Sequence, residues 1–202
     1  MNKILHKVWV MLAVFAVSMP MWALEEVDGV YQISSAADLK AFAELVNGGQ
    51  NTVSAVLTAD IVADADQPMI GLTSGTAFKG TFDGQGHTLT VQYGTASEPV
   101  NQQFVAPFVE VADAAKFTDL TIAGSIHAAY TGSAEPGVGG LIGHLFGGVT
   151  IEGCTSTVEI TSTRDRVGGF VGLCEHSVSF TDCVSSAVVQ YSRAGNISGF
   201  VG

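Results

Sequence analysis

Val138-Gly139-Gly140-Leu141-Ile142-Gly143 returns as VGGFVG at 167–172 and as ISGFVG at 197–202, so the copies open at 138, 167 and 197. Between them, IEGCTSTVEI at 151–160 aligns with FTDCVSSAVV at 180–189, at the same interval. A fainter earlier copy is FTDLTIAGSI at 117–126, preceded by APFVEV at 106–111 in place of the glycine-rich hexamer. A fixed period of roughly 30 residues marks a solenoid, in which each unit stacks on its predecessor. No unit carries a helical pattern, which excludes ankyrin, tetratricopeptide and leucine-rich forms. A unit of that length holds three short strands with their turns. The expected fold is all-β: a right-handed parallel β-helix, one repeat to each coil.

The apolar phases agree with that reading. Leu141 and Ile142, Phe170 and Val171, and Phe200 and Val201 recur at one position of the unit, as stacked strands with a shared interior require. The glycines just before them permit a sharp bend and close backbone approach. Cys154 and Cys183 also share a phase and should stand in one column about 4.8 Å apart. With Cys174 they make three cysteines, so at most one internal disulfide. In-register neighbours on parallel strands tend to direct their side chains poorly for a bridge, which favours a buried thiol column.

Upstream, the pattern differs. VYQIS at 30–34 reads as a short strand leading to Ser35, with Asp38 three positions on as a variant capping box. Leu39, Phe42, Leu45 and Val46 recur at helical spacing, and Gly48 and Gly49 end the run. The spacing predicts a helix over 36–47. SAVLTADIVA at 54–63 reads as a buried strand, and KGTFDGQGHTLTVQY at 79–93 as strand, turn, strand, with Asp83, Gly84 and Gly86 making a hairpin-type turn. Residues 94–103 are polar and read as a loop.

The N-terminal segment 1–23 carries its own signature. Lys3 and Lys7 precede the apolar run VWVMLAVFAV at 8–17, and SMPMWA at 18–23 ends on a small residue. That order is a secretory leader, and the run is too short to span a bilayer. The expected division is a leader at 1–23, a cap region at 24–103 and repeats at 104–202, with a secreted or cell-surface location and no transmembrane helix once the leader is gone. Cleavage after Ala23 would remove two basic side chains and leave six against 19 acidic ones, a net charge of −13. Such a surface repels nucleic acid and anionic membranes, so neither is an expected partner.

The VGGLIG and VGGFVG copies, joined by I-x-x-C-T-S-T-V-x-I, resemble GLUG repeats. The stretch from VYQISSAADLKAFAELVNGG to FKGTFDGQGHTL resembles the region often placed before such repeats in secreted Bacteroidetes proteins. Together these cover most of residues 30–202. The resemblance implies a β-helix in a large exported bacterial protein, as in surface adhesin-like proteins and the non-catalytic part of some IgA-cleaving metallopeptidases. It implies no activity of its own. The chain departs from the family pattern twice: Ser198 replaces the first glycine in the last copy, and the first coil lacks the hexamer.

Several side chains could in principle carry chemistry. The string Glu175-His176-Ser177 lacks the second histidine of H-E-x-x-H, so peptidase activity does not transfer. His87, His127, His144 and His176 read as turn or surface residues, with Leu173 at the place matching His144; His6 lies in the leader. Asp60, Asp64, Asp66 and Asp83 lack calcium-loop spacing. Arg164, Asp165, Arg166 and Arg193 could stack on one face, as a lyase acting on uronates would need, but read as solvated turn residues. Glu152 and Asp182 lie in adjacent coils yet are offset by one position, which weakens them as a glycosidase pair. No catalytic, metal or cofactor site is expected. The reading is a non-catalytic extracellular repeat module, adhesin-like or structural, with a host glycan or protein as ligand; the alternative is a carbohydrate-active β-helix enzyme or the accessory region of a larger one. The sequence stops at the opening of a new coil, so the expectation is a piece of a longer protein, or a last coil that pairs edge to edge with another chain.

Overall fold

The computed structural model describes residues 24–163, 165–191 and 195–202. The chain winds as a β-solenoid of about five turns with one short helix. Each full turn crosses four sheets in the same order. The first sheet stacks Glu26–Val27, Val30–Ile33, Ser54–Leu57, Thr81–Asp83, Lys116–Thr118, Val149–Glu152 and Val178–Thr181. Only its outermost pair is antiparallel; every later pairing is parallel. The second sheet runs from Ile61–Val62 through Thr88–Tyr93 and Thr121–Ala128, and then its strands split in two, as in Thr155–Ser156 with Glu159–Ser162. The third holds Phe104–Val105, Gly137–Gly139, Val167–Gly168 and Ile197–Ser198, and the fourth Phe108–Val111, Ile142–Leu145 and Val171–Cys174.

The copies aligned by sequence are the copies stacked in space. Val138, Val167 and Ile197 form one column, and Phe117, Ile151 and Phe180 another. The period is less even than the hexamers alone suggest. Thr81, Lys116, Thr150 and Ser179 share a column, so the turns from 81 to 116 and from 116 to 150 are both longer than the turn from 150 to 179. The two longer turns carry insertions at the corner between the second and third sheets. The stack is also taller than the repeats over 104–202 alone account for, because strands within 54–93 enter the same sheets.

The turn after Asp83 differs from the hairpin expected. Thr81–Asp83 and Thr88–Tyr93 do not pair with each other; each pairs in parallel with strands of neighbouring turns. The segment between them is a corner that moves the chain from the first sheet to the second. Asp83 Oδ1 accepts from Gln85 N at 2.9 Å, and Gly84 N donates to Thr118 O at 2.7 Å. The corner is therefore closed by its own aspartate and by the next turn. Local turn chemistry serves a hairpin and a solenoid corner equally, and only the long-range pairing separates them.

The interior is a column of rings and branched aliphatics. Phe78, Phe82, Phe108 and Phe117 are fully buried. Phe108 lies 5.0, 5.1 and 4.8 Å from the Phe78, Phe82 and Phe117 rings. The helix Ala36–Asn47 covers the N-terminal end of this column with Leu39, Phe42, Ala43 and Val46, all buried. Phe42 meets Phe78 and Phe82 at 6.2 and 6.0 Å. Ser35 caps the helix, accepting from Asp38 N at 3.2 Å. Asp38 reaches back to Ser34 N and to both serine hydroxyls. Partial burial works against its ionisation, but these hydrogen bonds prevail and hold its carboxyl below the usual range. At the other end, Asn47 pins the segment that follows: its Nδ2 donates to Met69 O, and its Oδ1 accepts from Gly71 N.

Within the repeat, an interior serine ties the coil across its own cavity. Ser156 is fully buried, and its hydroxyl donates to Gly169 O, in the glycine-rich bend of the same turn, at 2.6 Å. That bond satisfies a carbonyl facing away from water. Ser156→Ala should therefore cost about 1–3 kcal/mol in denaturant unfolding, the penalty for an orphaned buried acceptor. A loss below about 0.3 kcal/mol would show the carbonyl to be satisfied otherwise. The cysteines are free thiols, and Cys154 and Cys183 stand in one column, between Ile151↔Phe180 and Thr155↔Val184. Burial pushes the Cys154 thiol up to about 11.

Candidate binding cleft

The two insertions lie against each other. Val100, in the loop 94–103, pairs in parallel with Ala128, and Ala129 N donates to Val100 O at 2.9 Å. Asn101 Oδ1 accepts from Thr131 N at 3.0 Å. Gln103 Nε2 donates to Glu135 O at 2.8 Å. Arg166, from the following turn, clasps Glu135 at 2.6 Å. Loops inserted into a solenoid emerge on one face, often the one that binds. Here they form a two-layer ridge, tied by backbone bonds at Val100 and by side-chain bonds beyond it.

Beside the ridge is a cleft of about 420 Å³. Phe104, Val109 and Glu110 form its floor, Leu72 one wall, and Asn101, Gln102, Gln103 and Tyr130 its rim. Leu72 is placed there by Asn47, whose Oδ1 also accepts from Leu72 N at 3.2 Å. Glu110 is held by the ladder: its N–H donates to Gly71 O at 3.0 Å.

Glu110 also belongs to a cluster of ionisable groups. Glu110, His144 and Leu173 form one column of the fourth sheet. The His144 ring stacks on Phe104 at 4.5 Å. Its Nδ1 lies 4.0 Å from Glu110 Oε2 and its Nε2 3.5 Å from Glu175 Oε2. Both nitrogens are enclosed and neither makes a hydrogen bond among the described residues. Burial raises the Glu110 carboxyl above its ordinary range; the nearby His144 opposes this and Glu175 adds to it. The carboxylates sit on opposite nitrogens of one imidazole, so they cannot join a single His144 nitrogen around one metal ion. Among the described residues no three His, Cys, Asp or Glu side chains are placed to hold a metal.

The raised Glu110 carboxyl has a stability consequence. A carboxyl whose folded pKa lies above its unfolded value binds its proton more tightly when folded. Its destabilising effect is absent below about pH 4.5, the unfolded value. It grows as pH rises and is complete above the folded pKa. Glu110→Gln should thus match the native chain in acid and be the more stable of the two at pH 7. Unfolding curves across pH 4–8 check this, and a variant that is less stable at pH 7 would contradict it.

Several of the other residues singled out by sequence are engaged elsewhere. Glu152 stands opposite Thr181, the offset expected, and pairs with Lys116 at 3.1 Å. Asp60 accepts from Thr88 N and contacts His87, and Asp66 holds Lys40 at 2.8 Å. Arg166 is an ion-pair clasp on the ridge. Arg164, Arg193, His6 and residues 1–23 lie outside the described residues. Glu110 and the cleft itself escaped sequence reading. Two signals were available: the polar stretch 94–103, and the interval from the copy at 117 to the copy at 151, wider than that from 151 to 180. Each marks an insertion, and both insertions fall at the same corner.

No described helix is long and apolar enough to cross a membrane. No curated protein and no solved structure matches the chain. Residues 135–161, from the clasped end of the second insertion through the glycine bend to the cysteine-bearing strand, match the family model of the GLUG motif, so the chain carries a GLUG repeat within its β-solenoid.

Proposed function

We propose that this chain is a non-catalytic extracellular repeat module, adhesin-like, whose stacked coils hold out a binding surface for a glycan or protein. The observation that carries this reading is the pair of insertions bonded into one ridge beside a cleft. Pockets that take small ligands run from about 300 to 1,000 Å³, and the cleft lies in that range. Its lining holds one carboxylate, Glu110, whereas glycoside hydrolysis needs two flanking the scissile bond. Arg166 and Glu152, which a lyase or glycosidase reading would employ, are engaged in ion pairs.

The leader-like residues 1–23 support export, and the resemblance of the stretch before the repeats supports a bacterial, Bacteroidetes-type setting. Fractionation of producing cells, with protease shaving of intact cells, tests that part: recovery of the chain only from the cytosol overturns it. Incubation with neutral and uronate polysaccharides tests the other part, where release of product overturns the non-catalytic reading.

A further inference from the structure

We propose that the cleft beneath the insertion ridge binds a neutral sugar unit of a glycan, with Glu110 as its central acceptor. This rests on the binding-module reading and assigns its site and ligand class.

The chemistry of the lining points to this class. Glu110 Oε2 lies 4.0 Å from His144 Nδ1, beyond hydrogen-bond reach. A carboxylate in that setting needs donors, and vicinal hydroxyls supply two at once. Gln102 offers an amide donor and an acceptor on the rim, and Gln103, whose Nε2 donates to Glu135 O, offers its Oε1 as an acceptor. A sugar hydroxyl is likewise donor and acceptor. An alkylammonium, with donors only, would satisfy the carboxylate and leave the amide N–H groups unmatched. An acidic sugar would face Glu110 and, behind it, Glu175, on a chain of net charge −11. Tyr130 and the half-exposed Leu72 give the apolar C–H face of a pyranose something to lie against.

The ridge also presets the site. Asn101–Thr131, Gln103–Glu135 and Glu135–Arg166 join the rim to three consecutive turns. A ligand entering the cleft therefore orders few loop residues, which preserves affinity.

The test uses the full chain and isothermal titration or saturation-transfer NMR. The probes are lactose, cellobiose, mannobiose and chitobiose, with digalacturonate and a lysine-rich peptide as contrasts. At least one neutral disaccharide should bind, and digalacturonate should not. Gln102→Ala, at an exposed rim position that leaves folding intact, should weaken binding about 3–10-fold. Glu110→Gln should weaken it about tenfold or more. Lys116→Ala, on another sheet, should leave it unchanged. If a neutral disaccharide binds and neither cleft variant alters its affinity, this site is wrong while the binding-module reading stands. If the peptide or digalacturonate binds in the cleft and no neutral sugar does, the ligand class is wrong. If no probe binds, the proposal falls, and location and glycan turnover, measured separately, decide the module reading.

Discussion

Phe108→Ala should destabilise the chain by about 3–5 kcal/mol, among the larger costs of a single core truncation. Its ring is fully enclosed. It touches three others from two stretches of chain, Phe78, Phe82 and Phe117. Removing it takes away transfer energy and leaves a cavity that its neighbours cannot close, because Phe82 and Phe117 are fixed by parallel pairing on both sides and Phe78 by a bridge to Val111. In a chain of this size the thermal midpoint should fall by roughly 10 °C. Phe200→Ala makes the comparison. Phe200 belongs to a second group with Phe170 and Phe180, but it is half-buried, so its loss should cost about 1–2 kcal/mol. Equal shifts for the two variants, read by circular dichroism melts, would refute the view that stability is concentrated in the N-terminal ring column.

Gly169→Ala is the second severe change. A Cβ built there would lie 2.1 Å from Gly199 O, in the bend of the next turn, and 2.4 Å from Ser185 Oγ. Gly140 repeats the geometry one turn earlier, with its Cβ 2.1 Å from Gly169 O. The bends of successive turns abut at ladder spacing, about 4.8 Å between chains, and a methyl group has nowhere to go. Because the neighbouring atom is backbone, relief requires the coils to part, at an expected cost of about 3 kcal/mol or more. Gly86→Ala is the control. Gly86 has φ of +81° and nothing within 4 Å of its Cβ, so the change adds only left-handed backbone strain, about 1–2 kcal/mol. If the two variants melt together, the hexamer glycines serve conformation rather than close approach.

Both expectations explain why the repeat is written as it is. The second glycine of VGGLIG is a spacing requirement between turns, and the serine of CTST is a tether across one turn. Neither reason is visible within a single unit. Each appears once Gly140 is seen under Gly169, and Ser156 across from it.

Much of the fold was legible in the residues. The helix over 36–47, the strand before it and the stacking of the three hexamers follow from spacing, because a periodic apolar phase has one way to be buried once copies lie in register. The column of Cys154 with Cys183 and the one-position offset of Glu152 from Asp182 follow for the same reason. The Asp83 turn was not settled that way. Its local chemistry is shared by hairpins and corners, and the choice depended on partners a full turn away along the chain. The cleft lies further from reach still. Glu110, Leu72, Gln102 and Tyr130 share no period and no motif, and they meet because two insertions of unequal length leave the stack at one corner. Regular repetition is a property a chain carries along its length, whereas a site made where repetition breaks exists only after the turns are laid one upon another.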